Sequence, residues 1–177
     1  NLARQLADAG CTILGTSIDS IDIAEDRDLF RQKMERLGIP MPEAGMAVDI
    51  ADALKAAGRI GYPVMVRRSF VLGGRGMEVV YDDGMLREYV AKAVGVTPER
   101  PLLIDRFLQD ALECEADALA DGESVFIPAV MEHIELAGIH SGDSACVLPP
   151  VNISPACLKT IEEYTEKIAR ELQVRGL

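Results

Sequence analysis

The sequence has little cysteine, histidine or positive charge, and it has no long apolar run. Its 4 cysteines lack C-x-x-C spacing, and its 2 histidines do not follow them in the order of a zinc motif. This spacing excludes a zinc finger and gives no sign of a disulfide framework. The lack of a membrane span and of a signal sequence favours a cytoplasmic location, and because disulfides are rare in the cytosol we expect reduced thiols.

The charge balance is strongly acidic, with 18 Lys and Arg against 29 Asp and Glu and a net charge of −11. An acidic chain has no general affinity for nucleic acid or for anionic lipid, so we expect neither as a partner. No apolar run approaches the roughly 18 residues of a membrane span, and the N-terminus lacks a basic region followed by an apolar core. With 177 residues, 49% of them hydrophobic, the chain can bury one core or two small ones.

Hydrophobic periodicity predicts an α+β, or mixed α/β, fold in two lobes. Helices are predicted from Leu2 to Ala9, from Ser17 to Leu37 with Ile23, Phe30 and Met34 on one face, from Asp49 to Ile60, from Met85 to Val94, and from Ser154 to Leu172. Strands are predicted at Thr12–Leu14, Gly45–Val48, Tyr62–Phe70, Met77–Tyr81, Pro101–Leu108, Glu113–Leu119 and Val125–Glu132. Since Asn1 directly precedes a helix, we expect the chain to be part of a longer protein.

The stretch YPVMVRRSFVLGGRGMEVVYD places glycines and arginines between two predicted strands. From Ala53 to Met77 the charged residues are all basic, although acids outnumber bases in the chain. Gly73 and Gly74 let backbone N–H groups approach an anion, and the Arg75 guanidinium suits phosphate oxygens. The alternative is an ordinary glycine-rich hairpin loop with a solvated arginine.

Two common phosphate motifs are absent. No Gly-Lys-Ser/Thr of a Walker loop occurs, and Val79 takes the last glycine position of G-x-G-x-x-G. A glycine loop between two strands therefore indicates a flap over phosphates rather than the start of a helix.

Two further features carry candidate polar groups. In LECEADAL, period-two alternation puts Glu113, Glu115 and Asp117 on one strand face. This face is either a solvated acidic surface, or one of its carboxylates accepts the ribose hydroxyls of a nucleotide. His140 precedes Ser-Gly-Asp, where it could be a general base or a hydrogen-bonding loop residue. No nucleophile pattern such as G-x-S-x-G surrounds it, which favours binding over acid–base catalysis.

Five segments together resemble the ATP-grasp region of the carbamoyl phosphate synthase large chain. They are GTSIDSIDIAEDRDLF, the arginine and glycine stretch quoted above, LIDRFLQDALECEADAL, MEHIELAGIHSGDSACVLPP and ELQVRGL, in the family's order over nearly the whole chain. GGRGMEVVYD and HSGDSACVLPP are similar to the second half of that large chain, which phosphorylates carbamate with ATP. The resemblance implies a partial ATP-grasp fold with a glycine-rich lid hairpin, made of the end of a pre-ATP-grasp segment (1–20), a small and lid subdomain (21–112) and the start of a large subdomain (113–177).

The resemblance also implies roles for individual residues. It makes Arg75 catalytic, on a flap with Gly73 and Gly74 that closes over the transferring phosphoryl group. The other implied nucleotide contacts are Arg67 at the phosphates, Arg27 as a second arginine facing the site, Arg106 and Leu108 at the adenine, Glu113 at the ribose, and Gly138, Ile139, His140 and Ser141 along the nucleotide's other side. Arg68 stands where the family usually has proline.

Cofactors and partners follow from the same resemblance. It implies ATP and magnesium, with the magnesium ligands beyond Leu177 and none in this chain, so that the chain alone is expected to be inactive. It implies carbamate as a substrate and a glutaminase small chain as a partner, for arginine and pyrimidine biosynthesis, and an ornithine effector near Glu135 and Asp143. Another ATP-grasp ligase of the biotin carboxylase type, or a non-catalytic nucleotide-binding piece, stays open.

Overall fold

A computed structural model describes residues 2–68, 77–93, 101–139 and 141–177. Its helices are α1 (Ala3–Asp8), α2 (Ile18–Glu25), α3 (Arg27–Leu37), α4 (Ile50–Ile60), α5 (Asp83–Lys92) and α6 (Pro155–Glu171). Its strands are β1 (Ala44–Ala47), β2 (Val64–Arg68), β3 (Glu78–Val80), β4 (Leu102–Arg106), β5 (Cys114–Asp121), β6 (Val125–His133), β7 (Cys146–Val147) and β8 (Arg175–Gly176). The mixture confirms the predicted α+β class.

The chain divides into two compact units. Lobe A comprises Pro42–Ala111 and Glu135–Ser144, and lobe B comprises Asn1–Met41, Leu112–Ile134 and Ala145–Leu177. Both lobes are discontinuous in sequence. The functional boundaries at residues 20 and 112 stay a prediction.

Lobe A contains an antiparallel sheet in the order β1-β4-β2-β3. Strands β2 and β4 alternate between buried and partly exposed residues, and Val64, Val66, Leu102 and Ile104 are fully buried. These side chains form a core with the buried face of α4. By the strand period of two, Met65, Arg67 and Asp105 occupy the opposite face of the sheet.

Local capping fixes where the two helices of lobe A begin. Asp49 Oδ1 accepts from the backbone N–H of Asp52 at 2.8 Å, and Asp82 Oδ1 accepts from that of Met85 at 2.9 Å. An aspartate before the first turn satisfies N–H groups that have no partner within the helix. Both helices consequently begin directly after a capping aspartate.

Lobe B contains a second antiparallel sheet, in the order β7-β6-β5-β8, against which α6 packs. Its buried hydrophobic residues include Met34, Val130, Ala169 and Leu172. Glu132 and His133 are buried polar residues at the end of β6. The lobe therefore buries ionisable side chains where β6 pairs with β7.

Most predicted elements are confirmed within a few residues, but two predictions are wrong. The strand at Thr12–Leu14 is irregular backbone, and the single helix to Leu37 is two helices. Asp26 has extended backbone (ψ 112°) and accepts from the N–H groups of Asp28 and Leu29, which starts a second helix. The short strands β7 and β8 were not predicted. No helix among the described residues is long and apolar enough to cross a membrane.

Candidate nucleotide site

An arginine–carboxylate pair lies on the partly exposed sheet face of lobe A. Arg67 Nε lies 3.6 Å from Asp105 Oδ2, between the neighbouring strands β2 and β4. The Asp105 side chain is 15% exposed and that of Arg67 is 38% exposed. The register pairs Met65 with Asp105, so the arginine and the aspartate are diagonal neighbours. The carboxylate holds the base of the guanidinium while the group stays accessible to solvent.

The geometry leaves hydrogen-bonding capacity on this arginine. Its Nε is buried and makes no hydrogen bond in the structure, because 3.6 Å is longer than an N–H···O bond. A guanidinium carries five N–H donors in a rigid fork that matches phosphate oxygens. A partly exposed arginine of this kind can bind a phosphate.

A loop of lobe A packs against the same sheet face through a glycine. Gly138 has φ +99°, and a Cβ at this position would lie 3.2 Å from Phe107 Cε2 and 3.6 Å from Met65 Cε. The contact thus requires a residue without a side chain in a left-handed conformation. Ile139 follows and is 43% exposed. The structure brings Gly138 to the face that carries Arg67, as the sequence-based assignment of both to one site requires.

The Arg106 side chain has a structural role in lobe A. Its Nη2 donates to the carbonyl oxygen of Ile60 at the end of α4 and lies 3.6 Å from Glu43 Oε2. Its backbone N–H donates to the Glu43 carbonyl at 2.8 Å. The guanidinium therefore hydrogen-bonds to a carbonyl at the C-terminal end of α4. A ligand at this position would be bound by backbone atoms other than the Arg106 N–H, which is already bonded to Glu43. Leu108 is 51% exposed and available for apolar contact.

Two predicted nucleotide contacts belong to lobe B. Arg27 is the first residue of α3 and is partly exposed. Glu113 directly precedes β5, and its Oε2 lies 3.9 Å from Nδ1 of the buried His133. The opposite imidazole nitrogen, Nε2, lies 3.5 Å from Glu115 Oε2. The acids of this strand thus flank a buried histidine, an arrangement that alternation along the strand did not predict.

Several predicted residues fall outside the described residues or in the loop of lobe A. Gly73, Gly74, Arg75 and His140 lie outside the described residues. Ser141 begins a short 3-10 turn that ends at Asp143, and Glu135 lies at the start of the same loop. Asp143 is exposed and Glu135 is half-buried.

Sequence reasoning missed the partners of these residues. Asp105 had a visible signal, since it interrupts the apolar run LLIDR at a position facing away from the core. His133 and Glu115 had none, because the contact joins residues that are distant in sequence and depends on strand register.

A buried carboxylate is held at the end of β6. Glu132 is 3% exposed, and its Oε2 accepts from the backbone N–H groups of Val151 and Asn152 at 2.8 and 2.7 Å. Its Oε1 accepts from Asn152 Nδ2 at 2.6 Å. Bonds from the Asn152 backbone and side chain lower the pKa of Glu132 below its ordinary value. The ionised carboxylate fastens the 150–152 loop to the sheet.

Comparison with known proteins identifies the family. Residues 26–177 match the model of the carbamoyl-phosphate synthase L chain, ATP binding domain. The large chain of carbamoyl phosphate synthase from Archaeoglobus fulgidus is 58% identical over 177 residues, which is 100% of this chain and 16% of that protein. The chain belongs to this family. It spans about a sixth of the length of the curated relatives it matches.

Solved structures show the same fold at low sequence identity. The biotin carboxylase of Campylobacter jejuni, in a β,γ-ATP complex, has a TM-score of 0.79 at 21% identity, over 99% of this chain and 41% of that one. The biotin carboxylase domain of Hydrogenobacter thermophilus 2-oxoglutarate carboxylase, in complex with MgADP, has a TM-score of 0.75 at 22% identity, over 98% and 39%. The predicted ATP-grasp fold is confirmed for this member of the carbamoyl-phosphate synthase family.

Proposed function

We propose that the chain binds ATP on the sheet face carrying Arg67, and that it belongs to the carbamate-phosphorylating half of a carbamoyl phosphate synthase large chain. The observation that carries the binding proposal is the partly exposed Arg67, anchored by Asp105 on the face where Gly138 packs. The similarity of GGRGMEVVYD and HSGDSACVLPP to the second half of that large chain supports the assignment to this half. The product would be carbamoyl phosphate, for arginine and pyrimidine biosynthesis.

In the proposed reaction, a carbamate oxygen attacks the γ-phosphorus of ATP, the bond to the β–γ bridging oxygen breaks, and ADP leaves. Phosphoryl transfer depends on positioning and on neutralising charge more than on covalent help from the protein. Arg67 would hold phosphate oxygens, since its guanidinium is fixed at one side by Asp105. Arg75, with Gly73 and Gly74, is proposed to cover the transferring group, and Arg27 is proposed as a second arginine that faces the site.

The remaining proposed contacts orient the nucleoside. Backbone groups near Arg106 and the exposed side chain of Leu108 would contact the adenine, and the exposed Ile139 would lie along the nucleotide's other side. Glu113 would accept the ribose hydroxyls, and its 42% exposed side chain permits this. His140 and Ser141 are proposed to line the nucleotide's other side.

Magnesium would neutralise phosphate charge in such a reaction, but the described residues do not fit it. Within ranges 2–68, 77–93, 101–139 and 141–177, the group close enough to hold an ion is Glu115, His133 and Cys146. Magnesium prefers octahedral oxygen ligands, and this group offers one carboxylate with an imidazole and a thiol. We therefore assign no reaction step in this chain to the ion.

The partners remain part of the proposal. A glutaminase small chain would supply nitrogen to the whole enzyme, and ornithine would act near Glu135 and Asp143. A cytoplasmic location accords with this metabolism.

Calorimetry of ATP binding to Arg67→Ala tests the site. Losing a charge-assisted bond of about 1.5–3 kcal/mol should weaken affinity roughly tenfold or more. Arg87→Ala is the matched control, because it removes the same charge from an exposed position on α5. Equal affinity of both variants would refute the assignment of Arg67.

A second assay tests which half the chain represents. In the whole large chain, Arg67→Ala should slow ATP formation from carbamoyl phosphate and ADP by on the order of 10², as expected for lost stabilisation of the transferring group. If ATP binding falls but this reaction is unchanged, the site stands and the assignment to the second half is wrong.

A further inference from the structure

We propose that Glu115, His133 and Cys146 of lobe B bind a divalent transition metal ion of the zinc class. One ligand atom from each lies within 4.8 Å of the other two. The spacing of cysteine and histidine along the sequence showed no zinc motif, because these ligands are assembled by strand pairing.

The sheet register places the three side chains on one face. His133 in β6 is directly opposite Cys146 in β7. The backbone N–H of His133 donates to the Glu113 carbonyl at 2.9 Å, and Glu115 is two residues further along the same strand face. Paired residues of neighbouring strands point to the same side. The ligands therefore come from three adjacent strands, and Cys114 alternates away from them.

The buried histidine is the independent observation that points to a ligand. The His133 side chain is 1% exposed, and neither ring nitrogen makes a hydrogen bond. A buried polar group without a partner destabilises the folded protein, so such groups normally have one. A metal ion bonded to one ring nitrogen would remove this destabilisation.

The surroundings of the ring match those of a metal ligand. Its Nε2 faces Glu115 Oε2 at 3.5 Å, and its Nδ1 faces Glu113 Oε2 at 3.9 Å. Metal-binding histidines commonly direct the other ring N–H to a carboxylate, which fixes the tautomer. Glu113 is placed to accept that N–H after a small shift.

The ligand chemistry selects the ion. Thiolate and imidazole suit zinc and cobalt, whereas magnesium and calcium require oxygen ligands. Metal–ligand bonds of about 2.0–2.3 Å put tetrahedral ligand atoms roughly 3.3–3.6 Å apart. The 3.5 Å pair already fits, and the partly exposed Glu115 and exposed Cys146 can close the remaining separations. Three protein ligands leave a fourth position for water or an exchangeable ligand.

Cobalt titration of the whole 177-residue chain tests the proposal. The chain is purified without a histidine tag, stripped of metal, kept reduced and measured without nucleotide. We expect one Co²⁺ per chain, with visible bands of tetrahedral cobalt and a thiolate charge-transfer band. Added Zn²⁺ should displace the cobalt, and excess Mg²⁺ should not. A chain that shows no such spectrum overturns the proposal.

Two ligand variants and two matched controls identify the residues. Cys146→Ser should abolish the charge-transfer band. Glu115→Gln should weaken the affinity for cobalt by about tenfold or more, because even the loss of a residue that only hydrogen-bonds to a metal ligand costs about that much. The controls are Cys157→Ser, an exposed cysteine of α6, and Asp117→Asn, an exposed acid of β5. Both should bind cobalt like the original chain, with circular dichroism confirming the fold of every variant. A spectrum retained in Cys146→Ser refutes the site and leaves the ATP-binding proposal untouched.

Discussion

Single residues decide how the irregular parts of each lobe are held. Glu132 is a carboxylate that accepts three hydrogen bonds from the 151–152 segment in a buried position. A glutamine there would lose the negative charge and turn an amide group toward N–H donors. The stability of lobe B therefore depends on this side chain being ionised.

We expect Glu132→Gln to lower the denaturant midpoint and to flatten its dependence on acid pH. The pKa of Glu132 is lowered in the folded state, so its stabilising contribution is fully present above the ordinary glutamate pKa. That contribution is lost as the pH falls through the lowered folded pKa. Urea unfolding across this range measures the effect, with Glu162→Gln, at an exposed position of α6, as the control. The same acid dependence in both variants would contradict the assignment.

Gly138 controls the loop of lobe A at the same scale. Gly138→Ala adds a Cβ 3.2 Å from Phe107 Cε2 and strains a backbone with φ +99°. Such strain costs on the order of 1–3 kcal/mol. We expect weaker ATP binding with circular dichroism unchanged, because the contact lies on the Arg67 face. Unchanged affinity in calorimetry would remove this loop from the site.

At the scale of elements, glycine-to-alanine substitutions in α4 and β1 should change stability in opposite directions. Gly58 lies within α4 with no heavy atom within 4 Å of a built Cβ, whereas a Cβ at Gly45 in β1 would lie 2.9 Å from Ala56 Cβ. Gly58→Ala should therefore stabilise the protein by about 0.5–1 kcal/mol through helix propensity. Gly45→Ala should destabilise it, since strand and helix must separate. Thermal unfolding of the two variants measures the difference. A lower midpoint for Gly58→Ala than for the original chain would contradict the prediction and indicate a steric contact at this position.

Elements with strong local signals were predictable from sequence. Helix α4 has an aspartate cap, an apolar face and a terminal glycine, and its bounds agree with prediction within one residue. The break at Asp26 was missed because apolar spacing continues from α2 into α3. Strand β7 is two residues long and forms by pairing with β6, so no periodicity could show it.

The candidate site follows the same division. Arg67 was identifiable from its place between an apolar run and glycines. Its partner Asp105 depends on the pairing of β2 with β4, which joins strands separated by a helix. The surroundings of His133 depend in the same way on three paired strands. The sequence thus predicts which residue types lie near a site. It does not predict their mutual contacts, because these depend on the sheet register.

At the scale of the whole molecule, the lobes differ in how much apolar side chain they bury. The core of lobe A contains 12 buried hydrophobic residues among those described. The described part of lobe B has 4 buried hydrophobic residues, together with Glu132 and His133. Burial of apolar surface is the main favourable term in folding, and burial of polar groups gives less. Local stability should therefore be unequal.

Amide hydrogen exchange should resolve this inequality. We expect amides of β2 and β4, such as those of Val66 and Ile104, to exchange more slowly than amides of β5 and β6. The reason is that exchange from a strand requires local opening, and opening in lobe A exposes a larger apolar core. Conditions in which opening and closing are fast relative to chemical exchange make the rates report free energies. Low concentrations of urea should accelerate amide exchange in β5 and β6 before they accelerate amide exchange in β2 and β4. If both sets respond with the same slope and the same protection, the chain unfolds as one cooperative body, and the difference in core size does not control its local stability.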